Sequence, residues 1–205
     1  KKVLRLKCKD NITVCDGNGY DYLVSIEKFE PDRIVTGIID SRSNNSEPSL
    51  SVVLFQGVPK SDKMDLIIQK SVELGVKRIV PVVTQRTIVK IKKERDVQNK
   101  ISRWQRIALE AAKQCNRGII PEVDHPISLS EAFKHTRDTD LSIIPFEKEN
   151  NGRLTDSLNN SQVKSVSVFI GPEGGFTDRE IEKAIFEGVK PVTLGPRILR
   201  TETAG

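Results

Sequence analysis

Three glycines fall within six residues directly after an apolar run. Gly171-Pro172-Glu173-Gly174-Gly175-Phe176 follows Ser165-Val166-Ser167-Val168-Phe169-Ile170. Glycine lets backbone amides and carbonyls come close to a ligand, and in an open α/β sheet ligands bind beyond the carboxyl ends of strands. Glu173 can offer a carboxylate to a cation or a hydroxyl. The alternative is a tight strand-to-helix turn that uses its glycines for geometry alone. The spacing is not the GxGxxG of dinucleotide-binding folds, because Pro172 interrupts it. Gly17 and Gly19 do not form that motif either, since they fall in a hairpin with no helix after it.

A second stretch repeats the logic. Leu194-Gly195-Pro196-Arg197-Ile198-Leu199-Arg200-Thr201-Glu202-Thr203 again follows a strand and again carries a glycine at the turn. Its arginines and Glu202 flank an apolar pair, so polar groups meet an adenine-sized apolar surface. A third strand end is Ile144-Pro145-Phe146-Glu147. Three strand ends opening on one rim make a cofactor pocket of the usual concave kind.

Such loops need a sheet to hold them. Residues 50–58, 78–83, 141–146, 165–170 and 192–194 read as strands. Ser61 can cap a helix reaching Leu74, with Met64, Ile67, Ile68, Ser71 and Val72 on one face and Gly75 as its stop. Residues 96–116 read as a long helix, and the spacing of Trp104 with Ile107, Ala108, Ala111 and Cys115 makes that Trp a core residue. Glu110 and Gln114 share another of its faces. Residues 177–187 read as a helix opened by the capping box Thr177-Asp178-Arg179-Glu180 and closed by Gly188. Strands alternating with helices imply an α/β fold, a parallel sheet with helices on both faces. Residues 1–40 differ. Asp16-Gly17-Asn18-Gly19 is a hairpin signal between strands, and residues 33–39 alternate into another, giving a small β-sheet or β-barrel module. Residues 41–48, polar and rich in turn formers, read as the linker.

Charge is unevenly spread. Residues 1–49 hold eight basic and eight acidic residues, so they are neutral overall. The window 77–106 holds ten basic residues (Lys77, Arg78, Arg86, Lys90, Lys92, Lys93, Arg95, Lys100, Arg103, Arg106) against Glu94 and Asp96, an excess of 10 − 2 = +8. That excess fits a phosphate backbone or a solvated helix face beside a loop. No apolar run approaches the ~20 residues that span a bilayer, which argues against a membrane protein. Cys8, Cys15 and Cys115 are odd in number and lack CxxC pairing, and His125 and His135 add no metal spacing. Reduced thiols in a cytoplasmic protein without a metal are therefore expected. The chain lacks an initiator Met and stops at Ala204-Gly205, so residues are expected to be missing at both ends.

Residues 171–176 together with Leu194-Gly195, Arg197-Ile198-Leu199-Arg200-Thr201-Glu202-Thr203-Ala204 resemble the paired signature of the RsmE family, ribosomal RNA small-subunit uridine N3-methyltransferases of the SPOUT superfamily. Gln69-Lys70-Ser71-Val72-Glu73-Leu74-Gly75-Val76 resembles the family's first helix, and Gln85-Arg86-Thr87-Ile88-Val89-Lys90 its basic loop. Trp104 with Glu110-Ala111-Ala112-Lys113-Gln114-Cys115-Asn116-Arg117 resembles its long helix. The matches run in order along nearly the whole chain. The resemblance implies a PUA-like RNA-binding β-barrel over residues 1–46, with its first strand clipped. It implies a SPOUT trefoil-knot methyltransferase domain over residues 47–205, lacking the C-terminal helix that completes the knot. It also implies a homodimer, 16S rRNA or the small ribosomal subunit as partner, and S-adenosylmethionine as cofactor. The cofactor residues carried over are Pro145, Phe146, Ile170, Gly171, Pro172, Glu173, Gly174, Gly175, Leu194, Gly195, Arg197, Ile198 and Leu199.

Methyl transfer to uridine N3 requires loss of the N3 proton, in-line approach to the methyl group and a base taken out of its stack. Arg86 and Arg117 are candidates for holding RNA phosphate or the uracil, and Arg200 can do the same from the second loop. A guanidinium beside O2 or O4 favours the N3 anion; each arginine can equally be a surface phosphate contact or a salt bridge. Glu173 and Glu202 are proton acceptors or structural residues, and no general base stands out. Arg86→Ala is expected to weaken methylation more than cofactor binding. Two rivals remain: a non-enzymatic rRNA-binding protein, and a SPOUT enzyme acting on another target such as a ribose 2′-hydroxyl.

Overall fold

The computed structural model describes residues 5–60, 62–88, 94–150, 152–158 and 162–205. The chain divides into two compact units, Lys1–Glu47 with Ala112–Ile120, and Pro48–Ala111 with Pro121–Gly205.

The first unit is a three-stranded antiparallel sheet of β1 (Asn11–Cys15), β2 (Tyr20–Phe29) and β3 (Ile34–Ser43), in that order. The turn between β1 and β2 needs its glycines, because Gly17 and Gly19 have φ of +75° and +100°, where L side chains are strained. Residues 112–120 return to this sheet: Ile119 bridges Asn18, and the Gly19 amide donates to the Gly118 carbonyl at 2.8 Å. The expected linker begins later than its composition suggests. Ser41, Arg42 and Ser43 continue β3, paired with Tyr22, Asp21 and Tyr20. Their polar character is that of an exposed edge strand.

Among the described residues, the second unit is a seven-stranded sheet in which every pairing is parallel. Its strands are β4 (Ser51–Gly57), β5 (Arg78–Val83), β6 (Glu122–Val123), β7 (Ile127–Ser128), β8 (Leu141–Pro145), β9 (Ser165–Ile170) and β10 (Lys190–Val192). The order is β10-β8-β9-β4-β5-β6, with β7 also on β5. The helices are α1 (Lys63–Glu73), α2 (Glu94–Gln114), α3 (Leu129–Ala132), α4 (Leu154–Leu158), α5 (Asp178–Phe186) and α6 (Thr201–Ala204), with a 3₁₀ turn at Phe133–Asp138.

Helix α1 buries Met64, Ile67, Ile68, Ser71 and Val72, the face its spacing predicts, and Gly75 ends it at φ +97°. Asp62 is its N-cap residue; the expected cap, Ser61, lies outside the described residues. Thr177 and Glu180 form the predicted capping box of α5. Trp104 is buried. The last strand lies two residues earlier than its sequence suggests, at Lys190–Val192, where Pro191 and Val192 pair with Ile144 and Pro145. The short pieces β6, β7, α3, α4 and α6 carry too few residues to show a period.

Alternation along β4 sorts the two faces. Phe55 joins Val80, Val82, Phe133, Phe169, Phe176, Ile181 and Ala184 in one core, under α3 and α5. Leu54 and Gln56 point the other way, where the C-terminal segment packs, and α6 touches α1. Helices therefore cover both faces. Among the described residues no helix is long and apolar enough to cross a membrane, and no cluster of His, Cys, Asp or Glu could hold a metal.

Candidate active site

A cleft of about 810 Å³ opens at the carboxyl ends of β8, β9 and β10. Its walls are the three loops singled out by residue type: Pro145 and Phe146, residues 170–176, and residues 193–201. All thirteen residues carried over as cofactor-binding line it.

The glycine loop is short of space on one side. A Cβ on Gly57 would stand 2.6 Å from Pro172 Cδ, and one on Gly171 would stand 3.0 Å from Gly175 Cα. Gly175 itself has φ +65° and donates its amide to the Pro172 carbonyl at 2.8 Å. Side chains then grip the loop. Arg86 Nη1 donates to the Gly174 carbonyl at 2.5 Å and lies across that glycine. The Gln85 amide donates to Glu180 at 2.7 Å, and Thr177 Oγ1 donates to Gln85 Oε1 at 3.0 Å. The loop carrying Arg86 is thus fixed to the start of α5. Glu173 accepts from the Lys60 amide at 3.1 Å and lies 3.4 Å from Lys63 Nζ. Its carboxylate holds the turn from β4 into α1.

Beneath the loop, Gln56 is fully buried. Its Nε2 donates to Thr201 Oγ1 at 2.9 Å and to the Gly57 carbonyl at 3.0 Å, and Thr201 Oγ1 donates to the Gly171 carbonyl at 2.6 Å. Among the described residues, Gln56 Oε1 has no hydrogen-bond partner. Leaving a buried amide group unpaired costs about 1–3 kcal/mol.

Lys63 Nζ also lies 3.3 Å from Glu202 Oε2, without hydrogen-bond geometry. The Glu202 carboxyl is held below its ordinary value, first by its own backbone amide and further by the Lys63 and Arg200 cations, against the opposite effect of burial. Glu202 is therefore a carboxylate at neutral pH and a weak proton acceptor.

The three arginines proposed for catalysis have separate fates. Arg86 is on the glycine loop. Arg200 lines the cleft, is largely exposed, and lies 3.9 Å from Glu202. Arg117 is buried in the first unit, where its guanidinium forks onto Glu47: Nε donates at 3.2 Å and Nη2 at 2.5 Å. Burial alone would raise the Glu47 carboxyl, but Arg117 and the amides of Ile119 and Gly118 hold it below the ordinary carboxylate range. The salt-bridge alternative thus describes Arg117. Part of the basic stretch is similarly spoken for, since Arg78 pairs with Asp124 and Arg103 with Asp65; Lys90, Lys92 and Lys93 lie outside the described residues. Lys63, Arg153, Gln56 and Thr201 were not anticipated as site residues. Thr201 lay within the second quoted motif, and Gln56 carried a signal as the lone polar residue in Val52-Val53-Leu54-Phe55-Gln56.

Residues 45–205 match the RNA methyltransferase domain. The chain is 36% identical over 203 residues to Ribosomal RNA small subunit methyltransferase E of Buchnera aphidicola subsp. Acyrthosiphon pisum, covering 99% of this chain and 79% of that one. It is 32% identical over 207 residues to the protein of the same name from Bacillus subtilis, covering 98% and 80%. The crystal structure of a ribosomal RNA small subunit methyltransferase E from Neisseria gonorrhoeae bound to S-adenosyl methionine matches with a TM-score of 0.88 at 34% identity, over 99% of this chain and 82% of that one. Agreement in sequence and in fold over nearly the whole length places the chain in the ribosomal RNA small subunit methyltransferase E family.

Proposed function

We propose that this protein is an S-adenosylmethionine-dependent methyltransferase of small-subunit ribosomal RNA that acts on N3 of a uridine in 16S rRNA. The observation that carries the reading is the convergence of three glycine- and proline-bearing strand ends on one cleft, in a family with a cofactor-bound relative of the same fold. The residues present fit such a cofactor. The cleft volume lies in the range of about 300–1,000 Å³ usual for small-molecule sites. Gly175 and Gly195, where a Cβ would meet nothing nearer than 3.7 Å, leave room for close backbone approach, and Ile170, Leu194, Ile198 and Leu199 supply apolar surface for an adenine. Glu147 and Glu149 supply carboxylates for a cationic ligand, and Arg153 and Arg197 supply cations for a carboxylate. S-adenosylmethionine, when bound, supplies an electrophilic methyl group on a sulfonium.

The chain's own residues bind, orient and set charge. Arg86 and the Gln56–Thr201 pair hold the glycine loop in one shape. Arg200 places positive charge beside the uracil, where negative charge develops as N3 loses its proton. Glu202 fixes Lys63 rather than taking that proton. Arg117 belongs to the frame of the first unit. We read that unit, residues 1–46, as a PUA-like RNA-binding module, and residues 47–205 as a SPOUT domain whose C-terminal segment passes through a knot. The position of Gly205 against Leu54, Gln56 and Ile170 supports such a path, because the segment leaves edge strand β10 and crosses to β4. A cytoplasmic homodimer with each cofactor site near the subunit interface completes the reading.

Two measurements test it. Calorimetry with S-adenosylmethionine is expected to show binding, and no heat would leave only an RNA-binding protein. Nucleoside mass spectrometry of 16S rRNA incubated with protein and cofactor is expected to show 3-methyluridine. A 2′-O-methylated nucleoside instead would reassign the target.

A further inference from the structure

We infer that Gln56 is a positioning residue for the cofactor site, acting through Thr201 on the Gly171 carbonyl. This rests on the S-adenosylmethionine reading of the cleft and extends it to a side chain that does not line it.

Gln56 sits in β4 between β5 and β9, with no exposure to solvent. Its neighbours in the strand, Leu54 and Phe55, are apolar and buried. A methionine of the same length would fill that space and leave no polar atom unmet. The carboxamide instead leaves Oε1 without a hydrogen-bond partner among the described residues, a cost in stability that a packing role does not require. Its Nε2 does something specific. It donates to Thr201 Oγ1 at 2.9 Å, which obliges that hydroxyl to turn its own proton onto the Gly171 carbonyl at 2.6 Å. A hydroxyl has one proton and accepting lone pairs, so accepting from Gln56 sets the direction of the second bond. The chain Gln56–Thr201–Gly171 then ties the end of the second loop to the start of the glycine loop. Beside the Glu173–Lys63–Glu202 ion pairs, this relay is the hydrogen-bonded link that couples two of the three walls of the cleft. Buried polar networks of this kind hold geometry at functional sites at a cost in stability.

The two roles, positioning and packing, predict opposite patterns. Gln56→Met in the full chain is expected to melt at or above the wild-type temperature, while its S-adenosylmethionine affinity by calorimetry falls at least ~10-fold, or about 1.4 kcal/mol. Thr201→Val, which keeps shape but removes the hydroxyl, is expected to lose affinity likewise, and Thr201→Ser to restore it to within ~3-fold, or about 0.7 kcal/mol. Amide exchange at Gly174 to Phe176 in the free protein is expected to quicken in the Met and Val variants and not in the Ser variant. Wild-type affinity in Gln56→Met and Thr201→Val overturns the inference. So does a fall in melting temperature with unchanged affinity, or an equal loss in Thr201→Ser and Thr201→Val. A wild-type protein that binds no S-adenosylmethionine removes the cofactor reading and this inference with it. Variants that bind as the wild type does remove the inference alone.

Discussion

The two glycine-bearing loops of the cleft leave the sheet in the same way and are held in opposite ways. In residues 171–176, Pro172 and Phe176 are buried, the Gly171 and Gly174 carbonyls accept from Thr201 and Arg86, and the Gly175 amide closes a turn. Residues 195–200 are all exposed, Ile198 to 88%; the Gly195 amide donates to Thr193 Oγ1 at 3.2 Å, and the buried anchors come after the loop, at Thr201 and Glu202. The first loop is shaped before any ligand arrives. The second meets the ligand with side chains whose order has still to be set, at a cost in entropy on binding. One wall supplies precision and the other adaptability.

The comparison breaks hardest at Gly57. A Cβ there would stand 2.6 Å from Pro172 Cδ and 2.7 Å from Pro172 N, so Gly57→Ala must displace the backbone of the glycine loop. Such overpacking costs about 1–3 kcal/mol of stability, a fall in melting temperature of roughly 2–12 °C for a chain of this length. Cofactor affinity is expected to drop ~100-fold, about 2.7 kcal/mol. Calorimetry beside a thermal melt checks both. Wild-type affinity in this variant would mean that the loop is not preformed.

Next is Arg86→Ala. Because the guanidinium holds the Gly174 carbonyl, the variant is expected to weaken cofactor binding and methylation together, each by roughly 5–10-fold, in line with about 1–1.4 kcal/mol for such a bond. If methylation falls while affinity stays, Arg86 acts on RNA, as its place in a basic loop suggests.

Where the sequence is legible follows from what can be read locally. The strand before the glycine loop, the face of α1 and the capping box of α5 are set by period and by neighbouring residues. The cleft was legible as well, because its walls are contiguous motifs. Arg117 was misleading for the opposite reason: its partner Glu47 lies 70 residues away, and nothing local distinguishes an arginine that meets phosphate from one that meets a distant carboxylate. Gln56 and Thr201 are 145 residues apart, so their bond depends on the path of the last segment. The edge strand at residues 41–43 looked like a linker because exposed edges and linkers share a polar composition.

In the second loop, Ile198→Ala sharpens the contrast. An exposed side chain changes stability by no more than about 0.5 kcal/mol, so the melting temperature is expected to stay within ~2 °C of wild type. Cofactor affinity is nonetheless expected to fall ~5-fold, about 1 kcal/mol, as apolar surface is lost from the adenine's wall. Unchanged affinity would confine cofactor recognition to the glycine loop.

Acid is expected to have the smallest effect, and it acts on the anchor of the second loop. The Glu202 carboxyl lies below its ordinary 4.5, first through its own backbone amide and then through Lys63 and Arg200. A carboxyl whose folded value is lowered stabilises the folded form fully above the unfolded value, and that contribution disappears as pH falls through the folded one. Docking of α6 should therefore be constant across neutral and mildly acid pH and weaken only below 4.5. Glu47, Glu131 and Asp140 are lowered too, so the whole acid transition does not belong to Glu202. Subtracting the pH–stability curve of Glu202→Gln from that of the wild type isolates it. The difference is expected to be flat above 4.5 and to shrink below it. A difference that instead shrinks between neutral pH and 4.5 would mean a raised carboxyl, and would restore Glu202 as a candidate proton acceptor.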